Sequence, residues 1–337
     1  MITSRTVSSL EKIFHDSEPT CASLSEMSML GNERASFQLA YFSDEDTHCG
    51  ISVSGWKPEN MKIYKVVEVN SDMPAYEDSD FYFLRKAPGL YPDMLEPVED
   101  DTFLVEKGHY GSMWIELDAS GESAGKHDLF VTVSKGKETV TNVITVDVIP
   151  AKLPAQELMC TMWFHCDCLA TYYKVDVFSE EHWRIIENYV KNAAAHGINF
   201  ILTPLFTPPL DTEVGGERPT VQLVDVKKTK DGYEFGFDRL DRWIDMCKCC
   251  GIKYFEMSHL FTQWGAEHAP KIIAEVDGEE KRIFGWETDA DSAEYCDFLR
   301  RFAVALTAFI DKKGIRNFCR FHVSDEPSLE QYETYKK

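Results

Sequence analysis

Two periods of apolar spacing divide the chain. Across residues 1–153 the apolar positions alternate: Phe37, Leu39 and Tyr41 are separated by Gln38 and Ala40. That is the period of a strand with one buried face. Similar runs recur at Met113–Leu117, Leu129–Val133 and Val143–Val148, with turn signals such as Asp118-Ala-Ser-Gly121 and Ser134-Lys-Gly136 between them. Short strands at this spacing predict an N-terminal β-sandwich domain. The segment Ile149-Pro-Ala-Lys-Leu-Pro154 then breaks the pattern as a linker.

Residues 154–337 follow a different pattern. Leu158–Phe164 is almost continuously apolar, as in a parallel strand covered on both faces. A helix is predicted after Ser179, with Glu180 and Glu181 in its first turn and Trp183, Ile186, Val190 and Ala193 on its apolar face, closed by Gly197. Strands at 199–206, 252–261 and 317–323 alternate with helices at 237–250 and 291–313, which end at Gly251 and Gly314. Thr220–Asp225 and Tyr233–Phe237, around Asp231-Gly232, predict a hairpin in the first of these connections. Strict alternation implies parallel pairing with right-handed crossovers. Long loops after the strands favour a (β/α)8 TIM barrel over a doubly wound open sheet. Four strand-helix units are about half of such a barrel, so the chain is expected to be a truncated barrel that lacks part of its pocket.

The charge balance, 35 basic against 57 acidic residues, gives −22 and argues against a nucleic-acid partner. No apolar run approaches the ~20 residues of a membrane span. The start, MITSRTVSSLEKIF, lacks a secretory core, so a cytoplasmic location is expected, with reduced and buried thiols for the ten cysteines. Cys166-x-Cys168 and Cys247-x-Cys249-Cys250 lack the paired spacing of a zinc site. No metal and no other cofactor is expected, and oligomeric state is left open.

Candidate chemistry gathers where the strands end. Trp163, His165 and Asp167 follow the first, Thr203 closes the second, His259 and Trp264 follow the third, and His322, Asp325 and Glu326 follow the fourth. Adjacent carboxylates repel, which raises one pKa and leaves a protonated acid beside an ionised one. Glycosidic bond cleavage needs such a pair. Acids before Pro327 also suit an ordinary solvated helix start. His165, His259 and His322 occupy corresponding places on three strands, and they suit sugar-hydroxyl binding better than an undefined metal site. Trp163, Trp264 and Trp286 suit stacking on a sugar ring, or packing.

Together, Trp163-Phe-His-Cys-Asp-Cys168, Thr203-Pro-Leu-Phe-Thr-Pro-Pro209, Ser258-His-Leu-Phe-Thr-Gln-Trp-Gly265, Phe284-Gly-Trp286 and Phe321-His-Val-Ser-Asp-Glu-Pro327 resemble glycoside hydrolase family 123. Pro88-Gly-Leu-Tyr-Pro92 is similar to part of the sandwich that precedes the barrel in that family. The resemblance implies a retaining β-N-acetylgalactosaminidase in which the substrate's own 2-acetamido oxygen attacks the anomeric carbon. It implies that Asp325 holds the acetamido N–H and that Glu326 protonates the leaving oxygen. A conventional retaining glycosidase with Glu326 as acid/base and its nucleophile on a later strand remains open. So does a non-catalytic carbohydrate-binding protein.

Overall fold

The alternating first region folds as paired strands because each can bury one face. The structure, a computed structural model, describes residues 1–337 apart from Asp80, Glu99, Asp211, Thr212, Val214, Trp264, Val323, Ser324, Glu326, Pro327, Ser328, Lys337 and the side chains of Thr334 and Tyr335. It divides into two units, Met1–Ala155 and Gln156–Lys337.

The first unit holds strands β1 (Ile2–Ser8), β2 (Glu26–Leu30), β3 (Arg34–Ser43), β4 (Thr47–Ser54), β5 (Met61–Ser71), β6 (Gly89–Pro97), β7 (Thr102–Val105), β8 (Tyr110–Asp118), β9 (Gly125–Lys135) and β10 (Glu138–Ile149). They form two five-stranded sheets, β1-β3-β8-β5-β6 and β2-β10-β9-β4-β7. All pairs are antiparallel except β2 with β10. Phe37, Leu39, Met113 and Ile115 from one sheet share a core with Ile51, Leu129, Val131 and Ile144 from the other. The outer face of β3 departs from the expected alternation, since Gln38 and Ala40 are buried as well. Gln38 Nε2 donates to the carbonyls of Ser8, Ser9 and Glu11, and its Oε1 accepts from Ser112 Oγ. With both ends of the amide satisfied, burying it costs little.

The second unit runs β11 (Thr161–Met162), α1 (Cys166–Tyr173), α2 (Glu180–Ala195), β12 (Phe200–Thr203), β13 (Asp225–Thr229), β14 (Gly232–Gly236), α3 (Asp238–Cys249), β15 (Tyr254–Met257), β16 (Ile272–Val276), β17 (Glu279–Phe284), α4 (Ala293–Lys313), β18 (Cys319–Phe321) and α5 (Tyr332–Lys336). β11, β12, β15 and β18 pair in sequential order, all parallel. The order never reverses, so this sheet has no switch point of a doubly wound fold. Two predicted helix ends are found: Ser179 accepts from His182 N, and Gly314 closes α4 in the left-handed region at φ 70°. Ser292, which was not predicted, caps the start of α4 by accepting from Tyr295 N.

Strand pairing separates the two faces of the parallel sheet. Ile201, Phe255 and Cys319 lie side by side, and all belong to the core shared with Trp183, Trp243 and Phe298 on the helices. Their neighbours Leu202, Glu256 and Arg320 lie side by side on the opposite face. A residue's parity along the strand therefore decides whether it meets the helices or the other face.

Three expectations are corrected. The strand predicted over 158–164 pairs only at Thr161–Met162, and it is not covered on both faces: Leu158 is 74% and Met162 60% exposed. Among the described residues its ladder is with β12 alone, at the edge of the sheet, so its apolar run does not signal burial. The hairpin is β13–β14, closed at Lys230-Asp231. Thr220–Val224 instead packs along the loop after β12, with Leu223 N donating to Pro204 O and Val224 N to Leu205 O. A second hairpin, β16–β17, extends the first into a sheet of order β14-β13-β16-β17. All ten cysteines are free thiols, but Cys168 and Cys249 are exposed rather than buried. Among the described residues no helix is long and apolar enough to cross a membrane.

Candidate active site

Glu256 organises the face of the sheet turned away from the helices. It is a carboxylate inside a strand flanked by the fully buried Phe255 and Met257, and it is itself buried. An isolated buried charge is costly unless it is hydrogen-bonded. Three neighbours meet that need. Thr161 Oγ1 donates to Oε2 at 2.9 Å, Trp163 Nε1 donates to Oε1 at 3.2 Å, and His322 Nδ1 lies 3.2 Å from Oε1. These neighbours come from the first and fourth strands of the sheet or the residues that directly follow them, and Glu256 itself lies on the third.

His259, two residues past β15, completes the cluster. Its ring centroid lies 4.2 Å from that of His322 and 5.5 Å from Trp163, edge-on to the indole. Its side chain is fully buried, and neither ring nitrogen has a hydrogen-bond partner among the described residues; the same holds for Ser258 Oγ. Burial, assisted by the neighbouring His322 ring and opposed by Glu256, pushes the His259 imidazole from its ordinary value near 6.5 down to about 4. It is therefore neutral at physiological pH, with one nitrogen a donor and the other an acceptor.

That shift sets a pH dependence. Between pH 6.5 and 4 the unfolded chain binds a proton at His259 and the folded chain does not, so stability falls as pH drops through this window. The loss from this one group approaches about 3 kcal/mol and is absent above the window. His182, also pushed down by burial, adds to it. Denaturant melts of the wild type and of His259→Phe at pH 4.5 and 7.5 should show the smaller pH difference in the variant.

A second constellation braces the loops beyond the sheet. Asp167, near the start of α1, takes the Arg218 guanidinium bidentately: Nε to Oδ2 at 3.0 Å and Nη2 to Oδ1 at 3.1 Å. The two side chains are only 4% and 11% exposed. Arg218 also donates to Leu210 O, so the connection between β12 and β13 is tied to α1. Trp286 Nε1 donates to Gly216 O at 2.9 Å, and its ring lies edge-on to His268. Lys271 and Arg282 both pair with Glu217.

The sequence-derived candidates thus separate. Trp163, His259 and His322 come together around Glu256. His165 is the N-cap residue of α1, two positions past Trp163, and half-buried Asp325 follows His322 by three residues. Asp167 and Trp286 belong to the loop brace. Thr203 aligns with Met257 rather than Glu256, and its hydroxyl donates to Ile201 O at 3.3 Å, so it is not brought to the cluster. Glu326 and Trp264 lie outside the described residues. Glu256 and Arg218 were not read from the sequence. A lone acid within Ile252–Met257 is a signal for the first, whereas Arg218 in a polar loop carries none.

Among the described residues no group of three or more His, Cys, Asp and Glu side chains is arranged to hold a metal ion. A cleft of about 840 Å³ lies along the hairpin sheet, lined by Phe178, Gln222, Lys227, Phe235, Arg239 and Glu275 among others. It shares no lining residue with the Glu256 cluster and carries a mixture of paired charges, so the polar cluster, not the larger hollow, is the stronger candidate for chemistry.

Comparison with known proteins bears on this geometry. A family 123 glycoside hydrolase from Clostridium perfringens, studied for its hydrolysis of glycolipid glycans, superposes with a TM-score of 0.76 at 16% identity, over 99% of this chain and 61% of that one. At that identity the likeness speaks for the fold. This chain thus spans about 61% of the length of that structure. A FixG-related protein from Vibrio parahaemolyticus matches 44% of this chain and 95% of its own at 8% identity, but its TM-score of 0.24 carries no argument. No curated protein matches the chain. The model of the glycoside hydrolase 123 catalytic domain matches residues 163–337, just over half of the chain, and includes Trp163, Glu256, His259, His322 and Asp325. The chain belongs to glycoside hydrolase family 123.

Proposed function

We propose that the protein carrying this chain is a glycoside hydrolase that removes terminal β-linked N-acetylgalactosamine with retention, using the substrate's 2-acetamido group as nucleophile. On this reading the two-sheet unit is the β-sandwich of the family, and the parallel sheet with its helices is part of a (β/α)8 barrel. The observation that carries the proposal is the Glu256 cluster. A tryptophan and two histidines in ring contact gather at the carboxyl ends of parallel strands, the end where barrel enzymes place their chemistry. Asp325 and Glu326 follow the fourth strand directly.

In the reaction the acetamido carbonyl oxygen attacks the anomeric carbon as the glycosidic C–O bond breaks. Glu326 gives its proton to the leaving oxygen. Asp325 accepts a hydrogen bond from the acetamido N–H and offsets the positive charge of the oxazolinium. Water then adds at the anomeric carbon, Glu326 takes its proton, and the acetamido group is restored. Substrate-assisted families are a known exception to the scheme with a carboxylate nucleophile. The His322 side chain, 39% exposed where His259 is fully buried, is the imidazole of the cluster placed to meet a sugar hydroxyl. Trp163 offers its indole face for stacking.

The competing reading, a retaining glycosidase with a protein nucleophile, differs in what it asks of the substrate. Aryl β-N-acetylgalactosaminide and plain aryl β-galactoside should be compared with the protein carrying this chain. The acetamido substrate should be favoured by at least about 10³-fold in kcat/KM, because the galactoside lacks the attacking atom. Efficient turnover of the galactoside would rule out the acetamido route.

A further inference from the structure

Glu256 has no role in the reaction just described, yet three side chains of the cluster depend on it. Its Oε1 receives the indole N–H of Trp163, a group that can only donate, and the same oxygen faces His322 Nδ1 at 3.2 Å. As a carboxylate it can only accept, so His322 must carry its proton on Nδ1 when neutral. That leaves Nε2 as an open acceptor on an imidazole whose side chain is 39% exposed. Thr161 on Oε2 completes the grip on the carboxylate, so its plane is held from both oxygens.

We infer that Glu256 is a positioning residue: it fixes the tautomer of His322 and the orientation of Trp163, so that Nε2 of His322 accepts a hydrogen bond from a substrate hydroxyl. The inference rests on the hydrolase reading above. It adds a specificity element to the same site, since a sugar presenting a hydroxyl donor there is accepted and one lacking that hydroxyl is not. His259, whose ring lies 4.2 Å from that of His322 and is tilted 41° to it, packs against that ring and so reinforces the same orientation.

The test uses the protein carrying this chain, labelled with ¹⁵N-histidine. Long-range ¹H–¹⁵N correlation spectra report which ring nitrogen is protonated, and His322→Asn identifies the signal. At a pH where the ring is neutral, the wild type should show His322 as the Nδ1–H tautomer. Glu256→Leu, which removes the acceptor, should shift the ring toward Nε2–H and lower kcat by about 10- to 100-fold with a smaller change in KM. Glu256→Gln keeps a carbonyl oxygen for Trp163 and His322 and an N–H for Thr161, so it should retain the tautomer and stay within about threefold of wild-type kcat. A merely structural role predicts parallel losses in both variants and no link to the tautomer.

An Nε2–H tautomer in the wild type overturns the inference and needs no variant that folds. So does a Glu256→Leu protein that keeps both the Nδ1–H tautomer and full kcat. Failure of the hydrolase reading would look different: undiminished turnover by Glu326→Gln, whichever tautomer His322 adopts.

Discussion

Replacing Glu326 by Gln should reduce hydrolysis by about 10²- to 10⁴-fold while leaving substrate affinity within a few-fold of wild type. The substitution preserves size and hydrogen-bonding capacity but removes the transferable proton. The leaving oxygen of a glycoside is too basic to depart without one. The same group must later deprotonate water, so both halves of the reaction are impaired. An aryl substrate with an acidic leaving group should be affected less in the first half than a natural disaccharide, because its phenolate departs without protonation. Steady-state kinetics on both substrates, together with titration of a non-hydrolysed sugar to measure affinity, checks the prediction. Equal activity in wild type and variant would defeat the catalytic assignment and favour a carbohydrate-binding role.

The second large effect is on stability and lies away from the chemistry. Asp167→Ala should destabilise the Gln156–Lys337 unit by about 3–5 kcal/mol, because it leaves the Arg218 guanidinium buried without its bidentate partner. The contacts of Arg218 with Leu210 O and Cys168 Sγ are among those that remain in the variant. Replacing both partners with apolar residues, as in Asp167→Leu with Arg218→Met, should recover much of the loss, since it removes both desolvated charges at once. Urea unfolding of the single and double variants measures this. If Asp167 were instead held in place chiefly to touch a sugar, Asp167→Ala would lower affinity and leave the unfolding midpoint unchanged.

What could be read from the chain follows from where the physics is local. Ser179 sits at a helix start and Gly314 at a helix end because capping depends on a few adjacent residues. Phe37, Leu39 and Tyr41 announce a strand because one sheet face is apolar. Gln38 was misassigned to solvent because its burial depends on carbonyls about 30 residues away, which no local pattern encodes. The strand β17, Glu279–Phe284, was missed for the opposite reason. Its first four residues are exposed and charged, so it has no apolar alternation, and Asp277-Gly278 was its only turn signal.

The candidate site divides in the same way. Trp163, His259 and His322 were legible as polar or aromatic residues that follow apolar strands, and the structure joins them. Thr203 met the same criterion, but strand parity turns it toward Met257 instead. Glu256 escapes a pattern of polar residues just past the strands, because the carboxylate that binds Thr161, Trp163 and His322 lies within one. A charged residue inside a buried parallel strand is costly enough to be a signal in its own right.

A crystal structure of the protein carrying this chain with a thiazoline analogue of N-acetylgalactosamine bound would test the central claim most directly, because the thiazoline mimics the ring formed by acetamido attack. The account predicts the sugar on the Glu256 side of the parallel sheet, the thiazoline nitrogen within hydrogen-bond distance of Asp325, and Glu326 on the aglycone side of the anomeric carbon. A sugar seated in the hairpin cleft, or acids facing solvent on the side of the sheet away from His165 and His259, would contradict it.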